Sequence, residues 1–265
     1  MLTTGSPLLP EQFDYIYRDI KTDLHLASIS GGSDIISCFV CGNPNLPVRR
    51  GELQCAGLGM DVQIYNESGA AIIGAKGELV CASPFPSRPL FFWNDPNHTQ
   101  YKKAYFSVFD GIWHHGDYAE QTDSGGFIIY GRSDATLNPS GIRIGTAELY
   151  QQLESFHEIA DALAVGQHWQ SSERIVLFVV MKKHQALTQE LQQQIKTVLR
   201  DQASPHHVPA VIYAVPELPK THNGKIAELA VKKIIHHQPI DNTHALANPD
   251  CLDAFRVFAT RHPQP

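Results

Sequence analysis

Residues 127 to 148 constrain this chain more than any other stretch, because a strand, two backbone breaks and a helix start follow one another there without a spacer. Phe127 to Tyr130 are four β-favouring residues behind the turn Ser124-Gly125-Gly126, which predicts a strand. Gly131 is expected to end it. Arg132 and Asp134 come next, two residues apart, and an extended backbone would put both on one side. Asn138-Pro139-Ser140-Gly141 reads as a turn, since proline fixes φ and lacks a donor while glycine supplies backbone conformations other residues avoid. Arg143 follows, and Thr146 is the expected N-cap of a helix over about 147–157 with Leu149, Leu153 and Phe156 on one face. Two arginines and an aspartate on turns between regular elements suit a polar ligand site, a joint between domains or a salt-bridged surface loop. On spacing alone the surface loop comes first.

A chain of 265 residues can form one large domain or two ordinary ones around a substantial core. Its 43% hydrophobic and 18% charged residues describe a globular protein, not a disordered or fibrous one. A formal net charge of −6 argues against nucleic acid, whose phosphates call for a basic stripe. No apolar run reaches the roughly 18 residues of a membrane span, and the first residues lack the charged and apolar regions of a signal peptide. No membrane partner and a cytoplasmic location are therefore expected. Five cysteines do not make a disulfide framework in a chain this long. Cys38 and Cys41 have a zinc-type or redox-type spacing, but no second pair follows and both lie in or beside the apolar run 35–40, so they are read as buried thiols. None of the 14 histidines repeats the i, i+4 spacing of a hydrolytic zinc site.

In chain order, Gly5-Ser6-Pro7 is a turn. Pro10 opens a helix whose Phe13, Ile16, Tyr17 and Ile20 share one face. Leu24 to Ile29 is expected to be a strand emptying into the turn Ser30-Gly31-Gly32-Ser33-Asp34, where glycines allow close approach of backbone to a ligand; a plain β-turn is the alternative. Short strands are expected at 51–55, 60–65 and 77–81, with the turn Asn66–Gly69 between the last two, then a proline-rich loop over 82–101 and a strand at 105–109. His114-His115-Gly116-Asp117 does not read as a metal site, because neighbours on a strand face opposite ways. From residue 135 the pattern becomes a small α/β unit, with strands near 161–166, 174–180 and 211–215 and helices near 188–201 and 226–237. Asn223-Gly224 predicts a tight turn that leaves Lys225 exposed. It is not a phosphate-cradling loop, which would need an earlier glycine and a Ser or Thr at 226. Residues 251–258 make a short amphipathic helix candidate in a polar tail, expected to dock on its own domain.

Gly131-Arg132-Ser133-Asp134 followed by Ser140-Gly141-Ile142-Arg143-Ile144-Gly145-Thr146-Ala147-Glu148 closely resembles the core motif of the acyl-adenylate-forming enzymes, the acid–CoA ligases. Within that family the chain is most similar to the branch that activates acetoacetate. The resemblance implies an α/β (α+β) fold: the β-rich end of the large adenylate-forming domain over 1–133, a small mobile α/β C-terminal domain over 134–240, and a C-terminal extension over 241–265. It implies ATP, Mg2+ and CoA as the small molecules bound beside acetoacetate. Arg132 and Asp117 would hold the ATP ribose, a carboxylate being suited to accept from both hydroxyls. Gly5, Ser6 and Pro7 would lie against adenine, with Gly31 and Gly32 beside the bound ligand. Ser33 and Asp34 match a Thr-Glu pair that contacts the phosphates, with Asp34 the expected magnesium ligand. Asp134 would be the hinge. Arg143 would approach the phosphates, and Ser140 and Gly141 would lie against CoA. Pro219-Lys220-Thr221-His222-Asn223-Gly224-Lys225 resembles the family's last motif, making Lys225, with Asp34, the expected catalytic pair. Gly31 stands where acetate-using relatives carry Trp, which implies a roomier acyl pocket.

The same resemblance implies an upstream Thr/Ser/Gly-rich loop for the β- and γ-phosphates, and no such loop occurs in these 265 residues. The chain is accordingly read as a C-terminal portion. It would act with a separate N-terminal portion, self-associate, fold and bind nucleotide weakly without catalysis, or serve a different short-chain acid.

Overall fold

The computed structural model describes residues 1–240 and 243–263, and the chain divides into two compact units, Met1–Ser133 and Asp134–Pro265. In the first unit, β1 (Leu2–Thr3) pairs in parallel with β2 (Ala27–Ser28). Between them α1 (Pro10–Tyr15) starts at a proline, where the missing N–H would have had no helical partner anyway. The helix widens into a π turn over Ile16–Ile20. Phe13 and Ile16 pack with Leu26, but Ile20, expected on the same face, is exposed. The wider turn takes more residues per revolution and rotates Ile20 outward.

Next comes a three-stranded antiparallel sheet of β3 (Ser30–Gly32), β4 (Ser37–Cys41) and β5 (Cys55–Ala56). The expected strand 24–29 contracts to β2, and the expected turn at 30–34 is corrected: Ser30–Gly32 is itself a strand, and the reversal comes at 33–36. The glycine pair predicts a turn open to a ligand, yet here glycine is the residue that two closely pleated strands require. A Cβ at Gly31 would fall onto the Ser37 carbonyl of β4.

The rest of the unit is a four-stranded antiparallel sheet in the order β6 (Val62–Tyr65), β7 (Lys76–Cys81), β8 (Trp113–Gln121), β9 (Phe127–Arg132). One helix, α2 (Thr99–Tyr105), lies against it. The strand expected at 105–109 is corrected: Tyr101 and Tyr105 are one helical turn apart and face the core, while Lys102 and Lys103 point out. Tyr105 stacks flat on Trp113, ring centroids 3.7 Å apart. Strand β9 does not end at Gly131; it runs on to Arg132 through a bulge opposite Tyr118 and Ala119, with Gly131 at φ 125°.

The second unit is a three-stranded sheet between helices. β10 (Ile159–Trp169) pairs antiparallel with β11 (Ser172–Met181), which pairs in parallel with β12 (Val211–Ala214). Side chains alternate across it. Ala164, Ile175, Leu177 and Val179 meet α3 (Thr146–Leu153) and α4 (Gln189–Gln202). Leu163, Val165, Val176 and Phe178 meet α5 (Glu228–Ile235) and α6 (Leu252–Arg261). Both faces are covered, which is why these strands read as unbroken apolar runs. The cap of α3 is Gly145, not Thr146: Glu148 Oε1 accepts from the Gly145 N–H at 3.0 Å, and the helix stops at Leu153. The end of the chain is part of the core, with Phe178 between Phe255 and Phe258 at 4.8 and 4.9 Å. The expected boundary between 240 and 241 abuts residues 241 and 242, which lie outside the described residues.

Candidate functional site

In the first unit the two-strand register of β8 and β9 sets Asp117 opposite Arg132. Arg132 Nη1 donates to Asp117 Oδ1 at 3.1 Å and to the His115 carbonyl at 3.0 Å. Gly116, at φ 81°, makes that crossing possible, since a Cβ there would sit 2.6 Å from Arg132 Nη2. Ser30 Oγ donates to the other Asp117 oxygen at 3.3 Å, tying β3 to β8. Asp117 is buried to 7% exposure while the Arg132 side chain is half exposed. The result is a fixed carboxylate with a guanidinium laid beside it at the surface, and a carboxylate offers acceptor positions only.

Beneath this pair lies a group the sequence reading passed over. His115 is buried, packs edge-on against Phe39 at 4.7 Å, and sits 3.9 Å from Asp117 Oδ2 through Nε2. Burial holds its pKa below the usual histidine value, outweighing the nearby Asp117 carboxylate. His114 turns the other way, its Nε2 2.8 Å from Glu78 Oε2, and Glu78 also accepts from Ser133 Oγ. The two histidines therefore share no ion, and no cluster of three or more metal-ligating side chains occurs among the described residues.

Gly31 and Gly32 line β3 beside the same cluster. A Cβ at Gly32 would fall onto Asp34 and come within 3.0 Å of the His115 ring. Both glycines are thus demanded by the packing of this sheet, and Gly31 has no room for the indole that a pocket-narrowing Trp would bring. Ser33 and Asp34 are exposed in the following turn, where Asp34 Oδ2 accepts from the Tyr105 hydroxyl at 2.7 Å. Tyr105 was hidden from sequence reasoning because its segment read as a strand. Gly5, with φ 102°, and Ser6 are exposed after β1, and Pro7 is half-buried. Their strand runs beside β2, with Ile29 N–H donating to the Thr3 carbonyl at 3.0 Å, so this loop belongs to the same end of the unit.

In the second unit Asp134 is not in extended backbone, as expected, but in a single 3-10 turn, Ser133–Ala135. Its carbonyl accepts from Lys232 Nζ on α5 at 3.2 Å. Ser140 and Gly141 form the tip of a turn whose base is closed by mutual hydrogen bonds between Leu137 and Ile144. Both tip residues are left-handed, at φ 55° and 82°, and a Cβ at Gly141 would meet open space. Arg143 Nε donates to Thr136 Oγ1 at 3.1 Å across the same turn. Lys225 stands exposed on another reversal: Thr221 N–H donates to the Lys225 carbonyl, Lys225 N–H donates to Thr221 Oγ1, and Gly224 takes φ 79°. In the first unit the candidates sit on strands and on the turns that follow them, and in the second unit on turns.

The description "AMP-binding enzyme C-terminal domain" matches residues 149–225. Acetoacetyl-coenzyme A synthetase of Rhizobium meliloti (strain 1021) is 55% identical over 255 residues, covering 96% of this chain and 39% of that protein. The Macaca fascicularis acetoacetyl-CoA synthetase is 47% identical, covering 97% and 38%. Among solved structures, the acetoacetyl-CoA synthetase from Streptomyces lividans superposes with a TM-score of 0.89 at 38% identity, covering 98% of this chain and 40% of that one. The anthranilate CoA ligase AuaEII, at 20% identity and a TM-score of 0.74, shares the fold. The chain spans about two fifths of the length of the relatives it matches. Nearly the whole chain is thus similar to about two fifths of acetoacetyl-CoA synthetases, residues 149–225 match an AMP-binding enzyme C-terminal domain, and the fold is that of adenylate-forming enzyme domains.

Proposed function

We propose that the chain forms part of an acid–CoA ligase that makes acetoacetyl-CoA from acetoacetate, ATP and CoA by way of an acyl-adenylate. Residues 1–133 would be the end of the large domain, 134–240 the mobile C-terminal domain and 241–265 its extension. The observation that carries the reading is the Asp117–Arg132 pair, a rigid acceptor and a planar donor side by side at the surface. A ribose with two neighbouring hydroxyls, each both donor and acceptor, is complementary to it.

In the first step a carboxylate oxygen attacks the α-phosphorus and pyrophosphate leaves. Asp117 and Arg132 would fix the sugar, the 5–7 loop the adenine, and Ser33 the phosphates, while the Lys225 ammonium would meet the charge gathering on oxygen. The exposed Asp34 carboxylate fits a magnesium ion, which commonly takes one or two protein carboxylates and completes its shell with water and substrate phosphate. Bound there, the ion would neutralise phosphate charge. In the second step the CoA thiolate attacks the acyl carbon and AMP leaves. Rotation about Asp134 would withdraw Lys225 and bring in the 140–143 turn, with Arg143 toward phosphate and Ser140 and Gly141 against CoA. The five cysteines, free in this structure, suit the reducing cytoplasm in which ATP and CoA are held.

A second reading, a folded portion that binds nucleotide without completing the reaction, is favoured by the lack of a Thr/Ser/Gly-rich phosphate loop anywhere in the 265 residues. Both readings need the ribose grip. Calorimetric titration with AMP and with 2′,3′-dideoxy-AMP tests it: AMP should bind at least about tenfold more tightly, and Asp117→Asn should erase most of the difference. Equal affinity for the two nucleotides rejects the assignment.

A further inference from the structure

We infer that Glu173 is a positioning residue for the turn Asn138–Gly141, and that Gly166 is the gap through which it reaches that turn; this rests on the assignment of the turn to CoA. The bridge between Leu137 and Ile144 closes the base of the turn, but its tip has no backbone strand pairing among the described residues and holds two successive left-handed residues. Two side chains from the start of β11 hold the tip. Glu173 Oε1 accepts from the Asn138 N–H at 2.6 Å, and Ser172 Oγ accepts from the Ser140 N–H at 3.1 Å. The first is a charge-assisted bond, the stronger kind.

Glu173 pairs with His168 across the β10–β11 ladder, so Gly166 is its diagonal neighbour on the same face. A Cβ at position 166 would fall inside the Glu173 carboxylate. Glycine in the middle of a strand otherwise weakens it, and here its missing side chain is the space the carboxylate occupies. With Glu173 in place the turn is already in one conformation when a ligand arrives. Without it, binding would have to order the tip, and affinity would fall by the cost of that ordering.

The test uses the whole 265-residue chain, isotope-labelled, with two readouts: amide exchange at Asn138 and Ser140, and titration with CoA. Exchange at Leu177 and Val179 checks that the sheet is intact, and AMP affinity is the internal control. Glu173→Ala should speed exchange at Asn138 at least about tenfold and weaken CoA by about tenfold, the effect of losing one hydrogen bond to a charged group. Glu173→Gln keeps an acceptor and should recover most of both. Gly166→Ala should reproduce Glu173→Ala by evicting the carboxylate, and the double variant should be no worse than either single one. Unchanged exchange and CoA affinity in Glu173→Ala, or normal behaviour of Gly166→Ala, overturns the inference. If the wild-type chain binds AMP but not CoA, the assignment of the turn fails and the proposed role of Glu173 with it, whatever the exchange shows.

Discussion

At the scale of single residues, glycine decides most of the candidate site. Gly116 leaves the space in which Arg132 crosses to Asp117, and its φ of 81° is one that other residues adopt at a cost of about 1–3 kcal/mol. Gly116→Ala should therefore displace Arg132 as well as strain the strand. AMP affinity should drop about tenfold or more, the loss of a charged hydrogen bond, in a chain that still unfolds cooperatively; unaltered AMP titration would show that the guanidinium position is immaterial. Gly31 makes a different argument. The family resemblance implies the absence of a bulky pocket wall there, but its neighbour is the Ser37 carbonyl of β4, a backbone atom that cannot swing aside. Even Gly31→Ala should cost about 1–3 kcal/mol through overpacking, seen as a lower midpoint in urea. A full-stability Gly31→Ala would mean that β3 and β4 part easily and that the position is free to set acid size after all.

At the scale of elements, the strongest local patterns in the sequence coincide with the turns, strands and helix they predict, and the other elements depend on distant contacts. The paired turns at 138–141 and 221–225 follow from proline, glycine and Asn-Gly chemistry that acts within four residues. Strands β10 and β11 and helix α4 have long, clean apolar periods. By contrast, the start of α2 falls in the expected loop and its end in the expected strand 105–109, whose aromatics favour sheets; the packing of Tyr101 and Tyr105 around Trp113 makes the helix. Residues 30–34 predict a turn because no local signal tells that a neighbouring strand needs the missing side chains. The pairing of Asp117 with Arg132 depends on sheet register, and Tyr105, which reaches Asp34 from α2, comes from a distant segment. Element α5 carries a further half-buried group that no motif announced. Glu228 accepts from the Tyr150 hydroxyl, which itself accepts from the Ala164 N–H at 3.0 Å. Burial raises the Glu228 pKa above its ordinary 4.5, against the lowering by its hydrogen bonds. Folding thus favours the protonated acid, so this group's contribution is complete below about pH 4.5 and is lost as pH rises through the raised value. Glu228→Gln keeps the acceptor and removes the titration. The melting temperature of wild type minus that of Glu228→Gln should fall between pH 4 and pH 8; a flat difference would mean that Glu228 is ionised in the fold at no cost.

At the scale of the whole molecule, each unit has its own core, that of the first built on two sheets and α2, that of the second on a sheet covered on both faces. The first also carries large apolar side chains in contact with water: Ile36 is 89% exposed, Leu58 fully, Leu90 82% and Trp93 88%. A contiguous patch of such side chains would suit another protein part or a second copy. The chemistry points the same way. Asp117, Arg132, Ser33 and Lys225 would supply contacts to sugar, phosphate and carboxylate, but nothing in the 265 residues resembles the loop that cradles the β- and γ-phosphates. Pyrophosphate would then leave from a site open to water, where charge contacts weaken several-fold relative to a closed site and water competes for the adenylate. The purified chain should accordingly show no acetoacetate-dependent ATP–pyrophosphate exchange while retaining AMP binding. Adding the upstream portion of an acetoacetyl-CoA synthetase should restore exchange, and Lys225→Ala should then remove it by about 10²–10³-fold, the usual loss for one preorganised charge contact. Restored exchange should be matched in sedimentation by a one-to-one complex that replaces any self-associated species. Exchange by residues 1–265 alone, at a rate comparable with an intact ligase, would overturn this account. It would mean that the groups already on these turns suffice to hold all three phosphates.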